Sequence, residues 1–418
     1  MRMRNLEESL FWEIFFRRRA IRSELERDFR VSAATISRSI EALLSSHLIA
    51  ETSTIVSYRG RPPALLQVNP ELAVIGGLEF DRERITAVAT DMAGNLLGRG
   101  AVDASPSDPV ARTLRASRRV VRSALADAGV RATRLSRLGV GYTGRLDFRN
   151  DFHLDWEGMP HWGQVNFLEV LKKTFQLEIT LGDRAQAVAF AHHLLWPDHL
   201  RHRNALYVHV GSGIGAGVLI DGRIFRGTTC NSGEIGHMVI DRDGPPCKCG
   251  KKGCLEALAS LPATMSRARA VFAQRADGPA HAFAKAPSKL TPTALVQLAR
   301  AGDGVARGVI EESGKALGIG IANAVQILNP SLVVLAGSFA NLARDFLLDA
   351  VSRAIRDQCF KAISSGVEVR VAPFRKDIAP IGCALLASID VAAETVQRSL
   401  FAGETPASLR RQSEPLGR

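Results

Sequence analysis

The chain has 418 residues, 46% of them hydrophobic, and a formal net charge of +12. That length calls for two or three domains with ample material for their cores, and the thinly spread positive excess permits DNA binding without proving it. No run approaches about 18 consecutive apolar residues, no signal-and-cleavage pattern opens the chain, and six cysteines, three of them clustered, fit a reducing compartment, so the expectation is a cytoplasmic protein with no membrane partner.

Leu6, Leu10, Phe11, Ile14 and Phe15 recur at helical spacing and predict an amphipathic helix over 6–18. A short helix over 22–29 follows. Ser32 is an N-cap for a third helix, in which Ile36, Ile40, Leu43 and Leu44 form the buried stripe. Two short helices, a tight turn and a third helix describe a helix-turn-helix, which would present Ser32, Ala33, Ala34, Thr35, Ser37 and Arg38 to a DNA major groove. An ordinary three-helix bundle uses the same pattern. Residues 47–68 weigh against it, since they read as strand, turn, strand: a β-wing with Arg59-Gly60-Arg61-Pro62-Pro63 at its tip. Glycine lets the backbone approach closely, proline keeps it extended and arginine supplies charge, a combination suited to a narrow minor groove. A rigid proline linker with solvated arginines is the plainer alternative.

From Val74 three strand-like runs open an α/β region. A helix over 108–128 follows, with an outer face rich in arginine (Arg112, Arg115, Arg118, Arg119, Arg122). The simplest reading is a solvated face, and a second DNA contact is the alternative. A short strand over 138–141 ends in a turn containing Gly144, where ligands collect in open α/β sheets. Asp183 sits between a strand and an alanine-rich helix reaching about 195, as either a helix N-cap or a general base. Two strands flank Gly211–Gly215, a glycine turn that either cradles phosphate or is structural. A helical region spans 255–325 with a break at 278–292. Strands are expected over 331–337 and 367–372, and a closing helix over 378–396. The tail from 402 reads as disordered, and Cys230, Cys359 and Cys383 as inert thiols.

The stretch from Glu234 to Glu256 holds His237, Cys247, Cys249 and Cys254. One imidazole and three thiolates make a closed tetrahedral set suited to a structural Zn²⁺. The intervening residues are turn formers with no apolar face, so a metal would supply the folding energy. Three buried free cysteines, or a disulfide leaving one thiol over, are the alternatives. Glu234 and Glu256 flank the ligands and could grip sugar hydroxyls.

EIGH followed by C-x-C-G-x-x-G-C-L-E resembles the signature of the ROK family (repressors, open reading frames and sugar kinases). The resemblance implies an α/β, actin-like (ribonuclease H-like) two-lobed sugar-kinase fold, with a zinc loop beside a sugar site. In the family's repressors a winged helix-turn-helix precedes it. The chain would then divide into a DNA-binding domain (1–70), a first lobe (71–190, closed by helix 378–396), a second lobe with the zinc loop (191–377) and the tail (402–418). Gly144, Asp183, Glu234, His237 and Glu256 would contact the sugar, and strand 331–337 resembles the kinases' adenosine-side strand.

Two departures stand out. Gly182 replaces the asparagine of the kinases' Asn-Asp pair. Residues 78–83, Leu-Glu-Phe-Asp-Arg-Glu, replace their Asp-x-Gly-Gly-Thr phosphate hairpin, so that Asp81 and Glu83 stand where phosphates would sit. Like charges ~4 Å apart cost about 1 kcal/mol in water and ~4 kcal/mol near a protein surface. The expectation is a non-enzymatic, sugar-responsive repressor, binding an inverted repeat of double-stranded operator DNA as a homodimer or homotetramer. The alternatives are a hexose or N-acetylhexosamine kinase with an added DNA-binding domain, and a regulator whose ligand is a phosphotransferase protein.

Overall fold

The computed structural model describes residues 5–52, 64–81, 84–105, 107–147, 153–155, 159–163, 165–274, 283 and 286–401. The expected wing tip (Arg59, Gly60, Arg61), Arg82, Glu83 and the tail from 402 lie outside the described residues.

Helices α1 (Leu6–Arg17), α2 (Arg22–Phe29) and α3 (Ala33–Ser45) open the chain. Asn5 caps α1, and the Ser32 hydroxyl caps α3 by accepting from Thr35 N at 3.2 Å. Arg30, at φ 53°, ends α2 in the left-handed region and turns the chain into α3. Arg22 pairs with Glu41 at 3.0 Å and Glu51 at 2.9 Å, tying α2 to α3 and to strand β1. β1 (Ile49–Thr52) and β2 (Leu65–Val68) pair antiparallel. Leu25, Ile36, Ile40, Leu43, Leu48 and Leu66 form the head's core. α1 is different: Leu10, Phe11, Trp12, Ile14 and Phe15 are all buried, so its apolar face spans more than half of its circumference. Its second face is covered by the body of the protein, with which it shares one continuous core.

The body contains two five-stranded sheets of the same design. The first takes β3 (Val74–Phe80), β4 (Arg84–Thr90), β5 (Leu96–Asp103), β6 (Leu135–Tyr142) and β9 (Ile179–Asp183) in the order β5-β4-β3-β6-β9. A small hairpin, β7 (Arg145–Asp147) and β8 (His153–Asp155), lies between β6 and β9 in the chain. The second sheet takes β10 (Ala205–Val210), β11 (Ile214–Ile220), β12 (Arg223–Phe225), β13 (Leu332–Ala336) and β14 (Glu368–Val371) in the order β12-β11-β10-β13-β14. In each, an antiparallel meander is extended by two parallel strands. This internal duplication leaves no trace as a sequence repeat.

The helix Ile378–Leu400 returns to the first sheet, lying on β3, β6 and β9, and packs along the helix Arg184–Leu195. That second helix also covers β10 and β11, so the pair forms the seam between lobes. The boundary expected between 190 and 191 falls inside this continuous helix. Ile378–Leu400 is the one helix among the described residues long and apolar enough to cross a membrane, and it is mostly buried inside the protein. Its backbone touches the sheet directly. A Cβ on Gly139 of β6 would lie 1.9 Å from the Cys383 carbonyl oxygen, and one on Gly382 would lie 2.0 Å from that of Ala187.

Gly139→Ala should therefore wedge the closing helix off the sheet and destabilise the protein by about 1–3 kcal/mol, as overpacking does. A melting temperature equal to wild type, measured by calorimetry, would refute the backbone contact.

Candidate functional site

Glu234 leads into one turn of 3₁₀ helix, Ile235–His237, and the loop beyond it is closed by bridges between Val239 and Cys254 and between Pro246 and Lys252. This brings His237, Cys247, Cys249 and Cys254 together, with all four ligand atoms within 4.8 Å of one another. Cys247 Sγ lies 3.7 Å from His237 Nδ1, and Cys249 Sγ lies 3.6 Å from Cys254 Sγ. A tetrahedral Zn²⁺ with bonds of ~2.3 Å to sulfur and ~2.0 Å to nitrogen has edges of about 3.5–3.8 Å. The cluster has the dimensions to bind such a metal, whereas a disulfide would need ~2.05 Å, and all six cysteines are free thiols. Burial and the neighbouring thiols push Cys254 up to about 12, so a bound cation is what would let all three ionise. His237 serves two neighbours with one ring. Nδ1 faces the sulfurs, while Nε2 lies 3.8 Å from Glu234 Oε2.

Between the lobes lies a cleft of about 1050 Å³, and Gly144, Asp183, Glu234, His237 and Glu256 all line it. Glu256 Oε2 accepts a hydrogen bond from Ile214 N at 2.9 Å, and a Cβ at Gly213 would lie 2.8 Å from that oxygen. The Gly211–Gly215 turn thus seats a carboxylate. Asp183 is both an N-cap and a cleft residue: its Oδ1 accepts from Ala185 N at 2.8 Å and Gln186 N at 3.0 Å. Burial still raises it to about 6, against the pull of those amides. Burial, then repulsion from Asp183, raises Glu234 to about 7, with Arg145 opposing. Beside Asp183, a side chain at Gly182 would start 2.7 Å from Leu386 Cδ1 of the closing helix.

The other corner of the cleft is where a phosphate hairpin would sit. Here β3 runs to Phe80, and Asp81 N donates to Arg84 O at 2.9 Å. Glu79 is buried and ion-paired with the Arg184 guanidinium, whose Nη1 lies 3.2 Å from His209 Nε2. Burial, then the charge of Arg184, pulls His209 down to about 3, so its ring is neutral and accepts at Nε2. Asp81, Arg184, His209 and Ser212 all line the cleft. The protein's own ion pair fills this corner, and breaking it would strand a buried charge at a cost of about 3–5 kcal/mol. Sequence reasoning missed Arg184, His209 and Arg145. One signal was present for Arg184: it is a cation in the first turn of a helix, where the dipole disfavours positive charge.

In the head, Ser32, Ala33, Ala34 and Arg38 are exposed, and Thr35 and Ser37 are half-buried at the start of α3. α1 meets both lobes. Arg18 donates to the Ala93 carbonyl in the β4–β5 turn of the first lobe. On the second lobe the Arg223 guanidinium lies 5.2 Å from the Phe16 ring centre, and Arg203 lies 3.7 Å from Glu13.

Residues 75–389 match the profile of the ROK family. The chain is 25% identical over 370 residues to the xylose repressor of Caldicellulosiruptor bescii, covering 88% of this chain and 92% of that one. It is 33% identical over 217 residues to the DNA-binding transcriptional dual regulator NagC of Escherichia coli, covering 50% of this chain and 51% of that one. Among solved structures it is similar to a ROK hexokinase from Thermus thermophilus, with a TM-score of 0.64, 28% identity, and 77% of this chain and 99% of that chain covered. A ROK family transcriptional regulator, described as a homolog of the E. coli MLC protein, matches with a TM-score of 0.71 at 24% identity, over 91% of this chain and 94% of that chain.

If the cluster holds zinc, the purified protein should carry one Zn²⁺ per chain and Cys249→Ala should lose it. Elemental analysis returning less than about a tenth of an equivalent for the wild type would remove zinc from the site.

Proposed function

The chain belongs to the ROK family, and we propose that within it this protein is a sugar-responsive, DNA-binding transcriptional repressor and not a kinase. One observation carries the reading: a helix-turn-helix head is packed onto a sugar-kinase body whose phosphate corner is filled by the buried Glu79–Arg184 pair. ATP phosphates would have to displace that pair and approach Asp81. The sugar side keeps its donors and acceptors in Asp183, Glu234, His237 and Glu256, with Gly144 at the rim. The relatives named for xylose repression support a sugar as effector and a repressor as the class of protein.

In this reading residues 1–70 read DNA, residues 71–190 with 378–396 form one lobe, and 191–377 form the other. A structural Zn²⁺ on His237, Cys247, Cys249 and Cys254 fixes the ring that orients Glu234. Ser32, Ala33, Thr35, Ser37 and Arg38 face the major groove, and Arg59, Gly60 and Arg61 enter the minor groove. A homodimer or homotetramer matches an inverted-repeat operator. The signal passes through α1, because a sugar that changes the angle between lobes must act on a helix held by Ala93 on one lobe and by Arg203 and Arg223 on the other.

The protein should give no ATP-dependent phosphorylation of hexoses or N-acetylhexosamines in a coupled assay. Turnover that disappears in Asp183→Ala would overturn the reading. A sugar that raises the melting temperature should bind Asp183→Asn about ten- to a hundredfold more weakly, the loss of a hydrogen bond to a charged acceptor, while the amide oxygen keeps the helix cap.

The pH dependence has a definite sign. Asp183 is raised to about 6 from an ordinary value near 4, so its ionisation costs native stability as pH rises through that window. Hydroxyl donors favour the ionised form, so sugar affinity should fall below pH 6, and binding should release a proton. Calorimetry at pH 5 and 7.5 showing equal affinities would contradict this. Arg18→Ala should keep sugar binding but lose sugar-driven release from DNA. Release unchanged from wild type would rule out the α1 route.

A further inference from the structure

The arginine-rich helix over Val110–Asp127 has a use that the cleft and the head do not account for. It covers β4 and β5 on the outside of the first lobe. Arg115, Arg118, Arg119 and Arg122 are all exposed and fall on one face at i, i+3, i+4 and i+7, around a shallow surface depression of about 320 Å³. Arg112 differs, being paired with Asp108 at 3.4 Å. Two more exposed arginines, Arg131 and Arg134, follow the helix. Arg112 apart, none of the other six guanidinium groups has a hydrogen bond or ion pair among the described residues. Like charges at helical neighbour spacing destabilise a helix by about 0.2–0.5 kcal/mol per pair, so the stripe works against its own helix until an anion covers it.

We propose that Arg115, Arg118, Arg119, Arg122, Arg131 and Arg134 form a phosphate track that holds the duplex flanking the sequence read by α3. The proposal rests on the DNA-binding reading of the head.

Placement supports it. The last turn of the helix is fastened to β5, where Asp127 Oδ2 accepts from Arg99 N at 2.9 Å and a Cβ on Gly98 would lie 2.4 Å from Ala124 O. Four residues before Gly98, Gly94 lies against the Arg18 guanidinium of α1. Arg134 directly precedes β6, whose first residue, Leu135, pairs with Val74 at the start of β3, where the chain has just left the head. The arginines therefore begin where the head joins the body and run outward over the lobe. From Arg122 to Arg115 the helix rises about 10 Å, the length of about three base-pair steps of ~3.4 Å measured along the duplex axis.

The chemistry of the face selects the partner. Its remaining exposed positions are Ala111, Ser123, Ala126 and Asp127, with no aromatic or large aliphatic side chain. A protein interface wants an apolar or aromatic centre, and a membrane-surface helix wants an apolar face to bury. Phosphate contacts need neither, and arginine's planar fork suits them.

The test uses the full-length protein and a duplex it selects from a random pool. That duplex is compared when trimmed to its sequence-constrained positions and when extended by about 12 base pairs on each side, over a range of KCl concentrations. Wild type should bind the extended duplex about tenfold or more tightly, with a log K against log salt slope steeper by about 3, roughly 0.9 per phosphate. The Gln variant R115Q/R118Q/R119Q/R122Q should erase that gain. Its affinity for the trimmed duplex, and its discrimination against a scrambled core, should stay within about twofold of wild type. A variant with lysine at the same four positions should keep the gain, and R119Q alone should lose part of it. The Gln variant should melt no lower than wild type, because repulsion is relieved.

No gain on extension, or a gain that survives in the Gln variant, overturns the track. So does wild type retained by a polyglutamate resin with no effect of duplex extension, which would assign the stripe to an acidic protein. Failure of wild type to bind the trimmed duplex overturns the DNA-binding reading, and the track with it.

Discussion

Helix α1 leaves only a narrow polar side, with Glu13 and Arg17, to solvent. Leu10, Phe11, Trp12, Ile14 and Phe15 span more than half of its circumference, and each such side chain is worth about 1.5–3 kcal/mol when buried. They share one core with both the three-helix head and the body. The head is therefore not a bead on a string. Its core runs without interruption into the closing helix and the seam between lobes. Sensor and reader share apolar surface, and neither can shift far without the other repacking. Packed cores of this kind have discrete arrangements rather than continuous ones, which is what a switch requires.

The body shows how a kinase-type cleft can become a receptor without being rebuilt. Catalysis there needs two sets of groups, one for the sugar and one for the phosphates, and only the second has been closed. Glu79 sits on β3 beside the vanished hairpin, and Arg184 reaches it from the first turn of a helix whose cap, Asp183, faces the sugar side. On the proposed reading, one helix start would thus carry both a carboxylate for sugar hydroxyls and, in Arg184, the cation that pairs with Glu79. The crowding of Asp183, Glu234 and Glu256 is tolerable because Arg145 and His237 share the space and because part of the negative charge is lost by protonation near neutrality. A ligand rich in hydroxyl donors relieves that crowding, and a ligand bearing negative charge would add to it.

What was legible in the sequence was local. The Cys and His cluster could be read because all four ligands fall between 237 and 254 on turn-forming residues. The helix-turn-helix could be read because Ser32, Ile36, Ile40 and Leu43 supply cap and stripe within one helix. Long-range pairings were not legible. Glu79 and Arg184 are 105 residues apart, and nothing in either segment names the other. The second apolar face of α1 looked like a generous amphipathic stripe, because sequence does not say how many neighbours a helix has. Gly182 read as a lost hydroxyl-binding group. The structure adds a steric neighbour, since Cδ1 of Leu386, in a helix some 200 residues later, would lie 2.7 Å from a Cβ there and would have to shift. The duplicated sheet order was invisible too, since strand order depends on backbone pairing and not on which apolar residues do the pairing.

The energetics of switching bear on how many copies must act together. Inverting a two-state equilibrium from about 1:99 to 99:1 takes roughly 5.5 kcal/mol of differential affinity. A ligand that binds only one state, at a hundred times its Kd, supplies about 2.7 kcal/mol. One cleft therefore moves its own head only part of the way. The surface ties of α1, Glu13 with Arg203 among them, are worth at most about 1 kcal/mol each and cannot make up the difference. In the proposed homodimer, two clefts acting on one DNA-bound pair of heads would sum to about 5.4 kcal/mol, close to the whole requirement. Under the proposed pairing on an inverted-repeat operator, a sugar signal of ordinary strength would suffice for release.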